Sequence, residues 1–225
     1  MDAAAEHGPL PQILIGLTVV TGLVDAFSYL RLGHVFVANM TGNVVFFGFA
    51  LAGIGGISAV ASLLAIAAFA VGALVGGRVA VRPKPHRGLL LAAACLVQAV
   101  LVFAAAIVVT IAGVGAMATR LVLIAVLAAA MGGQNTIVRR LAVPDLTTTV
   151  LTLTITGLVA DTSPNDVRIR RTLAIVSMLI GALIGGLLLR FAATSAPLWL
   201  ATVLLVACAA AAYVGARSPN AAAWR

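Results

Sequence analysis

The sequence predicts an all-α integral membrane protein built as an internally duplicated helical bundle. Three observations carry this. Of the 225 residues, 63% are apolar and only 9% are charged, against about a quarter charged in an average soluble domain. Two short motifs recur at nearly one spacing. Positive charge separates onto one membrane face only if two of the apolar stretches turn back on themselves. A water-soluble globule of this length has no way to hide so much apolar surface, so ordinary soluble, disordered, collagen-like and disulfide-scaffold classes are excluded.

Eight apolar stretches follow one another: Gln12–Leu30, Val35–Gly55, Ile57–Gly77, Gly88–Ile111, Leu121–Val138, Leu146–Ala160, Thr172–Leu189 and Pro197–Val214. A crossing helix needs about 20 residues, and six stretches satisfy that simply. The second is interrupted by Asn39, Thr41 and Asn43. The sixth is short and threonine-rich, with Thr147, Thr148, Thr149, Thr152, Thr154 and Thr156 following Pro144 and Asp145, a pair suited to a helix start. The threonines can bond back to carbonyls or line a polar path. Asp161 closes this stretch and is placed to cap it or pair with Arg168, Arg170 or Arg171. The N-terminal MDAAAEHGPLP bears Asp2 and Glu6 in place of a basic region, so no cleavable signal peptide is expected.

The repeat is read from two registers. GALVGG at Gly72–Gly77 returns as GALIGG at Gly181–Gly186, an offset of 109, and TGLVDAFSYL aligns with MGGQNTIVRR at an offset of 110, so that Asp25 meets Asn135. A single transmembrane domain, residues 1–225, is expected, with one repeat over about 10–112 and the other over about 119–215. If all eight stretches cross, the basic residues divide six to eight. If the second and sixth enter and leave by one face, Arg78, Arg82, Lys84, Arg87, Arg139, Arg140, Arg168, Arg170, Arg171, Arg217 and Arg225 gather on one side, eleven against Arg31, Arg120 and Arg190. Positive loops favour the cytoplasm. The expected architecture is therefore six full crossings plus two short re-entrant or broken segments, with inverted halves and both termini cytoplasmic. The alternative is eight transmembrane helices in two parallel four-helix repeats.

The net charge of +8 belongs to loops between apolar runs, so a membrane face explains it and nucleic acid is not expected as a partner. Thirteen of the fourteen basic residues are arginine in an alanine-rich chain, which suits a high-GC bacterium and its plasma membrane. Cys95 and Cys208 each lie inside an apolar run and read as small core residues, while His7, His34 and His86 form no metal or catalytic constellation. No metal, cofactor or catalytic group is expected, and the protein is read as a non-enzyme. A thin bundle of this size is compatible with homo-oligomerisation.

The candidate binding residues are the expensive ones. Asp25 is the only acid within an apolar run, and such a residue costs roughly 2.5–3.5 kcal/mol at mid-helix on the mild insertion scale. Thr18, Thr21 and Ser28 share its helical face at spacings of 3, 4 and 3, and with Thr152 are candidates to line a pathway. Asp25 reads as a proton- or cation-coupling site or as a hydrogen-bond hub. Asn39, Thr41 and Asn43 can bind a polar solute or ion, or satisfy backbone that Gly42 frees from helical geometry. Gln134 and Asn135 stand where Asp25 stands in the first half. Gly72 and Gly76, and Gly181 and Gly185, form two GxxxG motifs suited to close helix packing.

At GLVDAFSYLRLGHVFVANMTGNVVFFG and GGQNTIVRRLAVPDLTTTVLTLTITGLVAD the chain resembles the YoaK-like family of small bacterial multi-pass membrane proteins, grouped as a domain of unknown function. The resemblance spans nearly the whole chain. It implies an integral membrane location and places Asp25, Asn39, Thr41, Gly42, Asn43, Gln134 and Asn135 among the signature positions. Many members carry a V-T-G-T-like motif in the second half; here that stretch reads VLTLTITG, so the two half-sites are not expected to work alike. The function expected from the polar groups is transport of a small solute or ion, through a site between the repeats, with proton coupling at Asp25. A structural or accessory membrane protein, and an intramembrane lipid-modifying enzyme, are the alternatives.

Overall fold

The computed structural model describes residues 8–79, 86–143, 146, 148–218 and 221. Eight helices occur among them: α1 Leu10–Arg31, α2 Met40–Leu51, α3 Ala59–Val79, α4 Arg87–Ala112, α5 Met117–Leu141, α6 Thr152–Ala160, α7 Asn165–Phe191 and α8 Ala196–Ala216. Six of these are long and apolar enough to cross a bilayer. The other two, α2 with 12 residues and α6 with 9, reach only about 18 and 14 Å at 1.5 Å per residue, well short of a hydrocarbon core of about 30 Å.

Contacts between helices fix the path of the chain. Helix α1 runs parallel to α7: Val19 meets Gly181, Leu23 and Ala26 meet Gly185, and Arg31 donates to the carbonyl of Leu189 at 2.9 Å. Helix α3 runs parallel to α5 in the same manner, with Gly72 against Ala129, Gly76 against Gly133, and the Thr136 hydroxyl donating to the Ala73 carbonyl at 3.1 Å. Helix α4 is antiparallel to α8, since His86 pairs with the Ala221 carbonyl at one end while the Trp199 indole donates to Thr110 at the other. It is also antiparallel to α5, where Arg87 donates to the Leu141 carbonyl and Gln98 lies against Met131. Taken together, α1, α4 and α7 point one way and α3, α5 and α8 the other. The chain therefore leaves and rejoins the same face around α2, and again around α6. The architecture is six crossings with two re-entrant segments. The two halves are inverted, and α1 begins on the face where α8 ends. Parallel four-helix halves are excluded by these directions.

The same contacts explain the glycines. A Cβ on Gly72 would lie 2.0 Å from the Ala129 carbonyl oxygen, and one on Gly181 would lie 2.2 Å from that of Val19. A Cβ on Gly132 would strike Phe69 and Ala73, and one on Gly22 would strike Met178 and Ala182. These pairs superimpose at offsets of 109 on α3 and α7 and 110 on α1 and α5, so each third helix lies on the first helix of the other half. Lipid tails give apolar helices no reason to associate, and small residues supply the close backbone approach that does. Helices α1 and α5 are accordingly the most buried of the six spans. On α3, Val71, Leu74 and Val75 remain exposed, as do Leu179, Leu183 and Leu187 on α7; these are faces for acyl chains.

Both central helices end in a left-handed turn that sends the chain back. Gly33 and His34 have φ of 98° and 58° after α1, and Ala142 has φ of 49° after α5. Val35–Gly55 and Leu146–Ala160, continuous in the sequence pattern, are thus each an irregular stretch followed by a half-helix. Helix α6 begins at Thr152, later than a start at Pro144 and Asp145. Pro144, Asp145 and Thr147 lie outside the described residues, as do Asp2, Glu6, His7, Arg82, Lys84 and Arg225.

Two glycines of one helix test this packing. Gly181→Ala is expected to lower stability by at least about 2 kcal/mol through overpacking. Gly186→Ala, with no atom within 4 Å of the added Cβ, should be neutral or stabilising by up to about 1 kcal/mol. Thermal unfolding in detergent reads the contrast; equal effects at both positions would remove the contact.

Candidate functional site

Asp25 lies six residues before the end of α1, about 9 Å inside that face. It is 8% exposed. Its Oδ1 accepts the backbone N–H groups of Val37 and Ala38 at 3.0 and 2.9 Å. Residues 32–38 therefore dip back into the bundle to the depth of Asp25, and α2 starts there and runs outward. Asn39 caps α2, its side chain facing the Gly42 N–H at 3.5 Å. Asn43 is fully buried and binds Phe36 twice, accepting from its N–H at 2.9 Å and donating to its carbonyl at 2.6 Å. Gly42 leaves room for the Phe36 ring, which a Cβ would approach to 2.9 Å. Phe36 in turn stacks on Tyr29 and Phe46, at centroid distances of 4.9 and 5.8 Å, and those two rings are 6.1 Å apart, so the three form a triangular cluster. The T-G-N run is thus the fastening of a re-entrant hairpin.

The second half repeats the construction from the other face with different chemistry. Gln134 and Asn135 lie six or seven residues before the end of α5. Gln134 Nε2 donates to Thr148 at 3.1 Å and approaches Thr21 of α1 at 3.5 Å. Thr149 donates to Asn135 Oδ1 at 2.8 Å. Side chains here do what a carboxylate and backbone amides do in the first half. Below, Arg171 of α7 closes the loop, 3.0 Å from Asp161 and 3.2 Å from Ser163, so Asp161 chooses Arg171 among its basic neighbours. Arg170 pairs with Asp166 at 3.0 Å.

The amino ends of α2 and α6 reach the middle of the bundle from opposite faces. Between them lies a cavity of about 870 Å³, lined by Asp25, Asn39, Thr41, Asn135, Thr149 and Thr152, with Tyr29, Phe36 and Phe46 toward its mouth. Five predicted binding or lining residues are therefore brought together: Asp25, Asn39, Thr41, Asn135 and Thr152. Others are not. Asn43 and Gln134 stand behind the wall and brace the re-entrant segments. Thr18, Thr21 and Ser28 are buried but do not line the cavity; their hydroxyls donate to the carbonyls of Leu14, Leu17 and Asp25 within α1. Sequence reasoning missed Tyr29, Phe36, Phe46 and Val150, because apolar residues in an apolar chain carry no signal of a cavity. Cys95 and Cys208 are buried free thiols. Among the described residues, no three His, Cys, Asp or Glu side chains gather into a group that could hold a metal.

The wall has two kinds of polar group. Asp25 Oδ1 is committed to the chain itself, and it faces the positive end of the α2 dipole. Thr41 and Thr152 are exposed and free to meet a ligand. Two substitutions separate holding from charge. Asp25→Ala leaves two buried N–H groups without an acceptor, which is expected to cost roughly 2–5 kcal/mol. Asp25→Asn keeps an Oδ1 acceptor and should unfold within about 1 kcal/mol of wild type. Thermal unfolding of both variants is the measurement, and equal losses would show that the carboxylate charge rather than acceptance holds the loop.

Comparison with known proteins agrees with a membrane protein. Residues 13–211 match the family model described as "Protein of unknown function (DUF1275)". The chain is 31% identical over 163 residues to the UPF0700 transmembrane protein YoaK of Bacillus subtilis (strain 168), covering 72% of this chain and 70% of that protein. No solved structure matches. The chain, a multi-pass membrane protein similar to YoaK, belongs to the DUF1275 family.

Proposed function

We propose that the protein moves a small polar solute or ion across a bacterial plasma membrane, through the cavity between its two halves. One observation carries the reading: two re-entrant half-helices bring their amino ends to a single cavity of about 870 Å³ lined by Asp25, Asn39, Thr41, Asn135 and Thr152. Broken helices meeting near the midplane between inverted halves recur among transporters and channels. Irregular backbone at such depth is tolerated where it lines a cavity or is packed in protein.

The basic residues support an orientation. Arg78, Arg87, Arg139, Arg140, Arg168, Arg170, Arg171 and Arg217 lie at helix ends on the face where α1 begins, while Arg31, Arg120 and Arg190 lie on the other. The rule for positive loops makes the first face cytoplasmic. Their placement serves topology, so nucleic acid is no partner in this reading. Coupling would reside in Asp25, the one carboxylate of the cavity wall. A single carboxylate among amides and hydroxyls is poor equipment for catalysis, so the site is read as a binding and passage site without chemistry.

The accessory-protein reading has a specific observation in its favour, since Asp25 and Asn43 are bonded to the chain's own backbone. It leaves the open cavity without a purpose. Uptake of a panel of small polar solutes and ions into proteoliposomes decides between them. The wild type is expected to take up at least one solute, accelerated by a pH gradient, and Asp25→Asn is expected to lose that acceleration while folding normally. Undiminished pH-driven uptake in the variant would remove the coupling role, and no uptake of any solute would favour the accessory reading. A fluorescent protein fused after the C-terminus should fluoresce, and alkaline phosphatase there should stay inactive, if that face is cytoplasmic.

A further inference from the structure

The central cavity does not stop at the midplane. A second cavity, of about 620 Å³, opens between α5, the second re-entrant segment, α6 and α7. Its wall includes Arg139 and Ala142, at the end of α5, and Arg171, near the start of α7. It therefore faces the side where α1 begins. Two residues, Asn135 and Val150, line both cavities. Beside them, Thr149 donates to Asn135 Oδ1 at 2.8 Å. Val150 is 47% exposed, and its chain lies at the depth of Asn135, so the isopropyl group borders open space on both sides.

We infer that the two cavities are the halves of one passage, and that Val150 together with the Asn135–Thr149 pair is its closed constriction. This rests on the transport reading above. The chemistry suits a barrier. The cavities carry polar groups such as Asp25, Thr41, Arg139 and Arg171, whereas at the junction Val150 sets an apolar side chain beside the Asn135–Thr149 pair, and apolar constrictions exclude water and close pores by dewetting. The segment is also suited to move. Thr148, two residues before Val150, has φ of 58°. A β-branched residue rarely takes that conformation, and such strain costs about 1–3 kcal/mol. Gln134 holds it there through the 3.1 Å bond to its hydroxyl. A small change at Gln134 or Asn135 would release the strained turn and shift Val150 with it. The first half also has a non-glycine positive φ, 58° at His34, but there Asp25 fastens the re-entrant segment by two backbone bonds.

The test needs no substrate. Thr41→Cys, in the central cavity, Leu153→Cys, in the second, and Val150→Cys are made singly in the full chain. Each is exposed to a membrane-impermeant cationic methanethiosulfonate in sealed vesicles of either orientation. Wild type is the blank, since Cys95 and Cys208 are 1% and 9% exposed. Position 41 should label only from the face opposite the N-terminus, position 153 only from the N-terminal face, and position 150 from both. Labelling of 150 from one face only, or from neither, while 41 and 153 label, would overturn the junction but leave the transport reading intact. Failure of 41 to label from either face would instead remove the water-filled cavity, and with it both. A second variant guards against a misfolded Val150→Cys. In Thr41→Cys with Val150→Ala, shortening the barrier should let the reagent reach position 41 from the N-terminal face as well. Unchanged one-sided labelling there would show that Val150 is not the barrier.

Discussion

Backbone hydrogen bonding in a medium without water is the constraint on which this structure turns. Every N–H and C=O placed in hydrocarbon must find a partner inside the protein, and a regular helix does so automatically. This chain gives up that solution twice, at residues 32–39 and at the described residues between α5 and α6. In the first half, side chains stand in for the missing ladder; in the second, side chains fasten the break to the central helix through one another. Asp25 serves Val37 and Ala38, and Asn43 serves both backbone groups of Phe36. Gln134 and Asn135 hold Thr148 and Thr149. The polar residues that look most functional in the sequence are thus, in part, the cost of having re-entrant segments at all.

That dependence sets the packing. Because the re-entrant segments hang on α1 and α5, those two helices must be held firmly, and the exchange of third helices does this. Helix α7 of one half clamps α1 of the other at Gly181 and Gly185, and α3 clamps α5 at Gly72 and Gly76. Neither half can be a closed unit by itself, since each depends on the other for its central helix to be covered. The cavity then falls where the halves cannot meet, between the two half-helix ends.

Much of this was legible from residues alone, and the physical reason is uniform. Membrane crossing is a matter of length and apolarity, so the six spans followed from composition. Positive charge obeys topology rather than packing, so the arginines separated re-entrant from crossing segments before any contact was known. The glycine motifs and the offsets of 109 and 110 reappear as helix contacts in matching registers. The cavity-facing role of Asp25 and Asn135 was visible from the expense of polar groups in lipid. What escaped was direction. Nothing in N-M-T-G-N says that Asn43 turns toward Phe36 while Thr41 turns toward the cavity, because half-helix rotation depends on the Phe36–Tyr29–Phe46 cluster. Thr18, Thr21 and Ser28 share a face with Asp25, yet their hydroxyls are satisfied within one turn, as short hydroxyl side chains in helices often are.

The two halves share a backbone plan but not a charge plan. A half-helix amino end carries roughly half a positive charge, and two such ends face one cavity here. In the first half a carboxyl group sits against the end of α2. In the second, the corresponding position is an amide, and Asn135 Oδ1 accepts from Thr149. The cavity wall therefore carries a carboxyl group where Asp25 lies and an amide where Asn135 lies. The second half is fastened by an amide–hydroxyl bond, worth about 1 kcal/mol net, where the first half sets two backbone N–H groups on one carboxyl oxygen. The asymmetry between Asp25 and Asn135 thus ties the first re-entrant segment through its backbone and the second through its side chains.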